Sequence, residues 1–261
     1  MAADLDQTPE PPIVGEAATV VVLRDAPAGL EVLLLERLST GSFGGAWAFP
    51  GGRVDPEDAG PEDPQPEEAP RSEDSAHDAG ASLGASPAVP LAVPLAVPLR
   101  VRRAAVRETR EETGLVVPQD SLVPFSRWVP PLRVTKRLIT WFFLAPDPAG
   151  ELSVSADEHV DSAWLPPAEA LRLHAAGELQ LFPPTWITLD ALGGAFSVAE
   201  ALAAAPRPPK EFESFQLSGA DGRLEAVLWA GDAQYGDPAA KGGARHRLWI
   251  NSLPWRLERS T

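Results

Sequence analysis

The sequence predicts a mixed α+β fold with a small β-rich C-terminal extension. Three observations predict it: an apolar hairpin near the start, a short charged helix that stops at a glycine, and strand-like pieces among glycine-rich loops near the end. The elements follow in chain order. Residues 1–12 are polar and proline-containing and read as a tail. Ala18–Arg24 is a nearly continuous apolar run, the pattern of a strand buried on both faces. Gly29–Arg37 is its partner, and Asp25-Ala-Pro-Ala-Gly29 is the turn between them. Trp47–Val54 reads as a short strand that runs into a glycine turn.

Residues 56–99 break the pattern. The first half is acidic: Asp55 to Asp78 holds ten acids against one base, Arg71. The second half repeats Ala-Val-Pro-Leu three times from Ala88 to Leu99. Proline at every fourth position removes helix and ladder donors, so an extended low-complexity insertion is expected. Helical character resumes at Arg102 and stops at Gly114, a natural C-cap. Strands are expected at Leu122–Trp128, Arg137–Leu144 and Ala163–Leu165, and helices at Pro167–Ala175 and across residues 184–204. Residues 13–205 then form one domain, and residues 206–261 a β-rich extension packed on it, with strands near Leu224–Trp229, His246–Ile250 and Trp255–Leu257.

Composition narrows the function. A net charge of −15 argues against a nucleic-acid-binding surface, which would be basic. With no cysteine, any metal must sit on oxygen or histidine ligands. No apolar stretch reaches the ~20 residues of a membrane span. The acidic Met-Ala-Ala-Asp-Leu-Asp start lacks a basic signal region, so a cytoplasmic protein is expected.

The chemistry concentrates in Ala104-Ala-Val-Arg-Glu-Thr-Arg-Glu-Glu-Thr-Gly-Leu115. At about 100° per residue, Glu108, Glu111 and Glu112 fall within roughly a 100° arc of one helix. Val106, Thr109 and Thr113 form the opposite, sheet-facing side. Three carboxylates on adjacent turns repel one another. They are either a solvated face braced by arginines such as Arg107, or ligands for a hard divalent cation such as Mg2+ or Mn2+.

This string resembles the second half of the Nudix hydrolase signature, G-x5-E-x7-R-E-U-x-E-E-x-G-U with U apolar. Arg107-Glu108-Thr109-Arg110-Glu111-Glu112-Thr113-Gly114-Leu115 matches it, with Thr109 in an aliphatic position. The first half begins at Ala48-Phe-Pro-Gly-Gly52. Counted from Gly52, the arginine belongs at position 66 and stands at 107, so 41 extra residues split the motif. The first acid is Asp58 when counted forward from Gly52. Counted back from Arg107, Leu99 stands there.

The resemblance implies a Nudix-type α/β/α sandwich around a mixed β-sheet. It implies hydrolysis of a diphosphate bond in a nucleoside diphosphate derivative, a small nucleotide-type substrate. Mg2+ or Mn2+ would sit on Glu108, Glu111 and Glu112, with the Gly52 carbonyl and Asp58 as further ligands. Arg107 braces the carboxylates, and Glu158 stands as an outside general base. Arg133, Lys136 and Arg137 are expected to hold phosphate. The interrupted motif, with Leu179–Leu189, also resembles the branch that cleaves coenzyme A and acyl-coenzyme A. The alternative is a Nudix-fold ligand-binding or regulatory module without turnover.

Overall fold

The computed structural model describes residues 13–38, 44–61, 63, 96–132, 137–146, 150–155 and 159–260. The N-terminal tail, the middle of the expected insertion, and Arg133, Lys136 and Glu158 lie outside the described residues. In chain order the strands are β1 (Ile13–Ala26), β2 (Gly29–Arg37), β3 (Trp47–Ala48) and β4 (Gly51–Arg53), followed by helix α1 (Leu99–Thr113). Then come β5 (Val123–Val129), β6 (Arg137–Pro146), β7 (His159–Leu165), α2 (Pro167–Ala175), α3 (Pro183–Leu192) and α4 (Val198–Ala203). The chain ends with β8 (Lys210–Glu213), β9 (Phe215–Ser218), β10 (Leu224–Leu228), β11 (His246–Trp249) and β12 (Arg256–Arg259).

The fold is the expected α+β sandwich. β1 and β2 form the hairpin, in register from Leu23↔Val32 to Ala26↔Gly29. β1 also pairs in parallel with β6, which places the N-terminal strand at the centre of a mixed sheet. β5 pairs with β6, β8 with β5, and β7 with the far side of β2. Successive residues of β1 point to opposite faces. Ala18, Val20 and Val22 meet Val101, Ala104 and Ala105 of α1. Val21 and Leu23 meet the other face, where Ala170 of α2, Ile187 and Leu189 of α3 and Ala201 of α4 pack. Helices on both faces explain why β1 is continuously apolar from Val20 to Leu23 rather than alternating.

The boundaries shift where local chemistry overrides the apolar pattern. α1 begins at Leu99, three residues before the first position read as helical, because Pro98 stands just before the helix with φ near the helical value. Gly114 ends it at φ 70°, with its N–H donating to the Arg110 carbonyl at 2.8 Å. The stretch expected to be helical, 184–204, holds two helices, interrupted from Gly193-Gly194 onward. Ordered chain also reaches further into the expected insertion: Pro56–Asp58 is a turn of 3-10 helix.

β9 to β12 form a separate four-stranded antiparallel sheet, but β8 of the extension belongs to the main sheet. Its Phe212 stacks on Trp128 of β5 with ring centroids 4.1 Å apart, and Trp229 meets both rings edge-on. Trp255 packs edge-on against His174 of α2. The second sheet is thereby fastened to the domain through aromatic contacts, each worth about 1 kcal/mol beyond the area it buries. Among the described residues, no helix is long and apolar enough to cross a membrane.

Candidate active site

The site forms where β4 meets the C-terminal half of α1. The backbone leaves Pro50 and pairs with β1 through Thr19↔Gly51, Ala18↔Gly52 and Ala17↔Arg53. That pairing lays the glycines against the helix. The Gly51 N–H donates to Glu112 Oε2 at 2.7 Å. A Cβ on Gly52 would fall inside the carboxylate of Glu108. Glycine is required there because backbone and carboxylate touch.

The three glutamates of α1 have different surroundings. Glu112 is buried at 3% exposure. Its Oε1 lies 3.6 Å from His159 Nε2 at the start of β7. Glu108 is mostly buried, with a side-chain exposure of 14%, and accepts from Arg107 Nη1 at 2.9 Å. Glu111 is exposed and accepts from the same nitrogen at 3.1 Å. An exposed arc of three acids does not form: the helix turns Glu112 into the interior. Among the described residues, no three Asp, Glu, His or Cys side chains converge tightly enough to hold a metal ion. The donor chemistry nevertheless fits a hard divalent cation. Carboxylate oxygens of Glu108 and Glu112 stand against the backbone of Gly51 and Gly52, with Glu111 one helical turn from Glu108.

Arg107 organises this cluster. Its Nε and Nη2 grip Asp58 Oδ1 and Oδ2 at 3.1 and 2.8 Å, and Nη2 also donates to the Arg53 carbonyl at 3.0 Å. Asp58 is 3% exposed and further accepts from the Asp55 N–H at 2.8 Å. The hydrogen bond with Asp58, followed by the charge of Glu108, outweighs burial and raises the Arg107 pKa further above its usual value, so the guanidinium stays charged. Asp58 is thus where the forward count from Gly52 puts the first acid. Both its oxygens face Arg107, and in this arrangement Asp58 anchors the arginine. Leu99, the position reached by counting back, is the first residue of α1 and 40% exposed.

Thr109 stands in the aliphatic position of the motif and is completely buried. Its hydroxyl donates to the Ala105 carbonyl at 2.7 Å, which satisfies the polar atom inside the core. Arg137 is also buried, at 5% exposure, with Nε donating to the Pro130 carbonyl at 3.2 Å. Arg133, Lys136 and Glu158 are outside the described residues. The residues flanking 156–158 do reach the site: Ser155 N–H donates to the Glu112 carbonyl at 2.9 Å, and His159 faces the Glu112 side chain.

Sequence reasoning gave His159 no more than a place beside Glu158, and it passed over Asp63. His159 is buried, and its position in an acidic loop carries no periodic signal. An open cleft of ≈ 560 Å³ lies beside Glu111, lined by Glu57, Asp58, Arg107, Arg110 and Gln119 among others.

Part of the chain is similar to known proteins. Residues 100–184, about a third of the chain, match the NUDIX domain. No curated protein matches the sequence. A crystal structure of a NUDIX hydrolase from Alicyclobacillus acidocaldarius is similar at 25% identity and TM-score 0.54, covering 74% of this chain and 96% of that one. A MutT protein from Bacillus halodurans is 15% identical over 84% of this chain and 99% of its own, at TM-score 0.44. The NUDIX domain of Shewanella oneidensis NrtR, crystallised with ADP ribose, is 17% identical over 73% and 85%, at TM-score 0.40. The family match begins at Arg100, one residue into α1, and so falls on the motif half that carries the three glutamates. Residues 100–184 thus match the NUDIX domain, and the fold is similar to that of a NUDIX hydrolase.

Proposed function

We propose that the protein hydrolyses a diphosphate bond in a nucleoside diphosphate derivative, with Mg2+ or Mn2+ held by Glu108, Glu111, Glu112 and the Gly52 carbonyl. The observation that carries this reading is the contact of Glu108 and Glu112 with the two glycines of β4. It sets carboxylate oxygens beside a backbone that can supply a carbonyl ligand. A divalent ion bound there supplies charge neutralisation at phosphate and a more acidic water.

The protein's own groups do the rest. Arg107 keeps Glu108 oriented and limits its repulsion from Glu111, while Asp58 holds Arg107 from the opposite side. The amide of Gly51 fixes one oxygen of Glu112, leaving the other toward His159. The cleft beside Glu111 is open to a nucleotide-sized ligand. Glu158 is the proposed proton acceptor, supported by the contacts of Ser155 and His159 with Glu112 on either side of it. Arg133 and Lys136 are the proposed phosphate contacts, in the segment just before β6. Coenzyme A and acyl-coenzyme A head the substrate list on the ground of the interrupted motif and the Leu179–Leu189 segment.

The test is turnover of a panel in Mg2+ and in Mn2+: coenzyme A, acyl-coenzyme A, ADP-ribose, diadenosine polyphosphates and nucleoside triphosphates. Cleavage of a nucleoside diphosphate derivative supports the reading. Binding of a panel member with no cleavage of any would instead identify a ligand-binding module.

A further inference from the structure

Asp63 stands in the acidic stretch after β4, where a solvated side chain is the ordinary outcome, yet it is 8% exposed. Its Oδ2 accepts from Arg103 Nη1 at 2.9 Å and from the Gly60 N–H at 2.9 Å. Its Oδ1 accepts from the Arg100 N–H at 3.3 Å and lies 3.6 Å from Arg100 Nη1. Arg100 continues the chain of contacts to Glu16 of β1, with Nε and Nη2 at 2.8 and 2.7 Å from Oε2. Arg103 Nη1 also donates to the Asp58 carbonyl at 2.9 Å.

These contacts form a ladder. Asp58 meets Arg107, and Asp63, five residues later, meets Arg103, one helical turn earlier. Asp58 and Asp63 therefore follow one another antiparallel to α1, one acid to each turn. Sliding the helix by a turn would break both rungs. It would also carry Glu108 and Glu112 away from Gly52 and Gly51.

Covalent connection does little to set that register. Asp63 and Arg100, 37 positions apart, are in contact, so the described residues on either side of the insertion meet at one seam. A connection this long restrains its ends weakly, and its closure entropy opposes bringing them together. In an uninterrupted motif a few residues of chain would do the work. Here something else must.

We infer that Asp63 is the clasp that closes this seam: a positioning residue that sets the register of α1 against β4, made necessary by the insertion between them. The inference rests on the reading of α1 as the metal-bearing helix. Its test has one readout that does not depend on that reading.

Two backgrounds are compared, the full chain and a chain in which residues 64–95 are replaced by a linker of about six glycine and serine residues, ample for a seam already in contact. Asp63→Ala is made in each. Two quantities are measured: hydrogen–deuterium exchange of the amides of residues 99–108, and Mn2+ binding by the protein alone. In the full chain, Asp63→Ala should speed exchange of that segment and weaken Mn2+ binding ~10-fold, as loss of a supporting contact does. In the shortened chain the same change should alter Mn2+ binding less than about 3-fold, because the linker now holds the ends. The reciprocal pair Asp63→Arg with Arg103→Asp should recover part of the loss in the full chain.

Equal effects of Asp63→Ala in both backgrounds, or none in the full chain, would overturn the clasp. Failure of the shortened chain to fold would overturn it as well. If the unaltered protein binds no Mn2+, the functional reading fails, and the exchange comparison alone decides the clasp.

Discussion

The guanidinium of Arg107 closes on both oxygens of Asp58, at 3.1 and 2.8 Å, while its remaining nitrogen bridges Glu108 and Glu111. One side chain thus ties the two halves of a motif that are 49 positions apart in the chain. Replacing Asp58 by Ala leaves a half-buried guanidinium without its anchor. Breaking a buried pair from one side costs about 3 kcal/mol. The expected outcome is a lower chemical denaturation midpoint and a fall in kcat of more than about 10-fold, with KM little changed. An unchanged kcat in a folded variant would show that Arg107 does not orient the glutamates.

Gly52 allows backbone and carboxylate to touch. In Gly52→Ala the new methyl group would occupy the space of the Glu108 carboxylate, which must rotate away. Mn2+ affinity should fall at least ~10-fold. The cost in stability should stay near the ~1–3 kcal/mol of an overpacked site. Isothermal titration of Mn2+ beside a thermal melt separates the two effects. Affinity equal to that of the unaltered protein would contradict the site.

Glu112→Gln separates folding from chemistry. The amide oxygen of glutamine can still accept the Gly51 N–H, so the variant should fold with a change of about 1 kcal/mol or less. The negative charge is gone, and activity should fall more than about 100-fold, beyond what loss of a supporting contact produces. Circular dichroism and steady-state rates on one preparation check both halves.

The C-terminal sheet carries a buried ion pair, Asp232 with Arg247, whose side chains are 0% and 2% exposed. Burial alone would raise the Asp232 pKa. Hydrogen bonds from Arg247 and from the amides of His246 and Gln234 outweigh it and hold the group at about 2, below its ordinary 3.8. A carboxyl with a depressed folded pKa contributes stability above its unfolded pKa. That contribution, on the order of 2 kcal/mol, is lost as the pH falls from about 4 through 2. An acid titration followed by tryptophan fluorescence should show the sheet loosening in that window, since Trp229 and Trp249 lie on or beside it. Asp232→Asn should be destabilised already at pH 7 and should lose this pH dependence.

The hairpin, the strands of the main sheet and the stop at Gly114 were legible because apolar runs and a left-handed glycine write local signals. The three glutamates were legible as a helix pattern, but their fates were not. Periodicity put Glu112 on the same arc as Glu111, whereas β4 draws Glu112 inside through the Gly51 amide. That contact joins segments 61 positions apart, and nothing in the helix sequence encodes it. The burial of Arg137 at the start of β6 was not legible either, since it depends on the Pro130 carbonyl that the fold brings to it. Asp63 is one of ten acids in its stretch, and what distinguishes it is the pair of arginines opposite.

The central claim is that the glutamates of α1 hold the cation for diphosphate cleavage. Its most direct test is the rate of cleavage, in Mg2+ or Mn2+, of whichever panel substrate the protein turns over, for the unaltered chain and for Glu111→Gln with Glu112→Gln. Cleavage by the unaltered chain should depend on the metal, and the double variant should lose it while it remains folded. Cleavage that persists in the folded double variant, or that proceeds equally well in excess chelator, would contradict it.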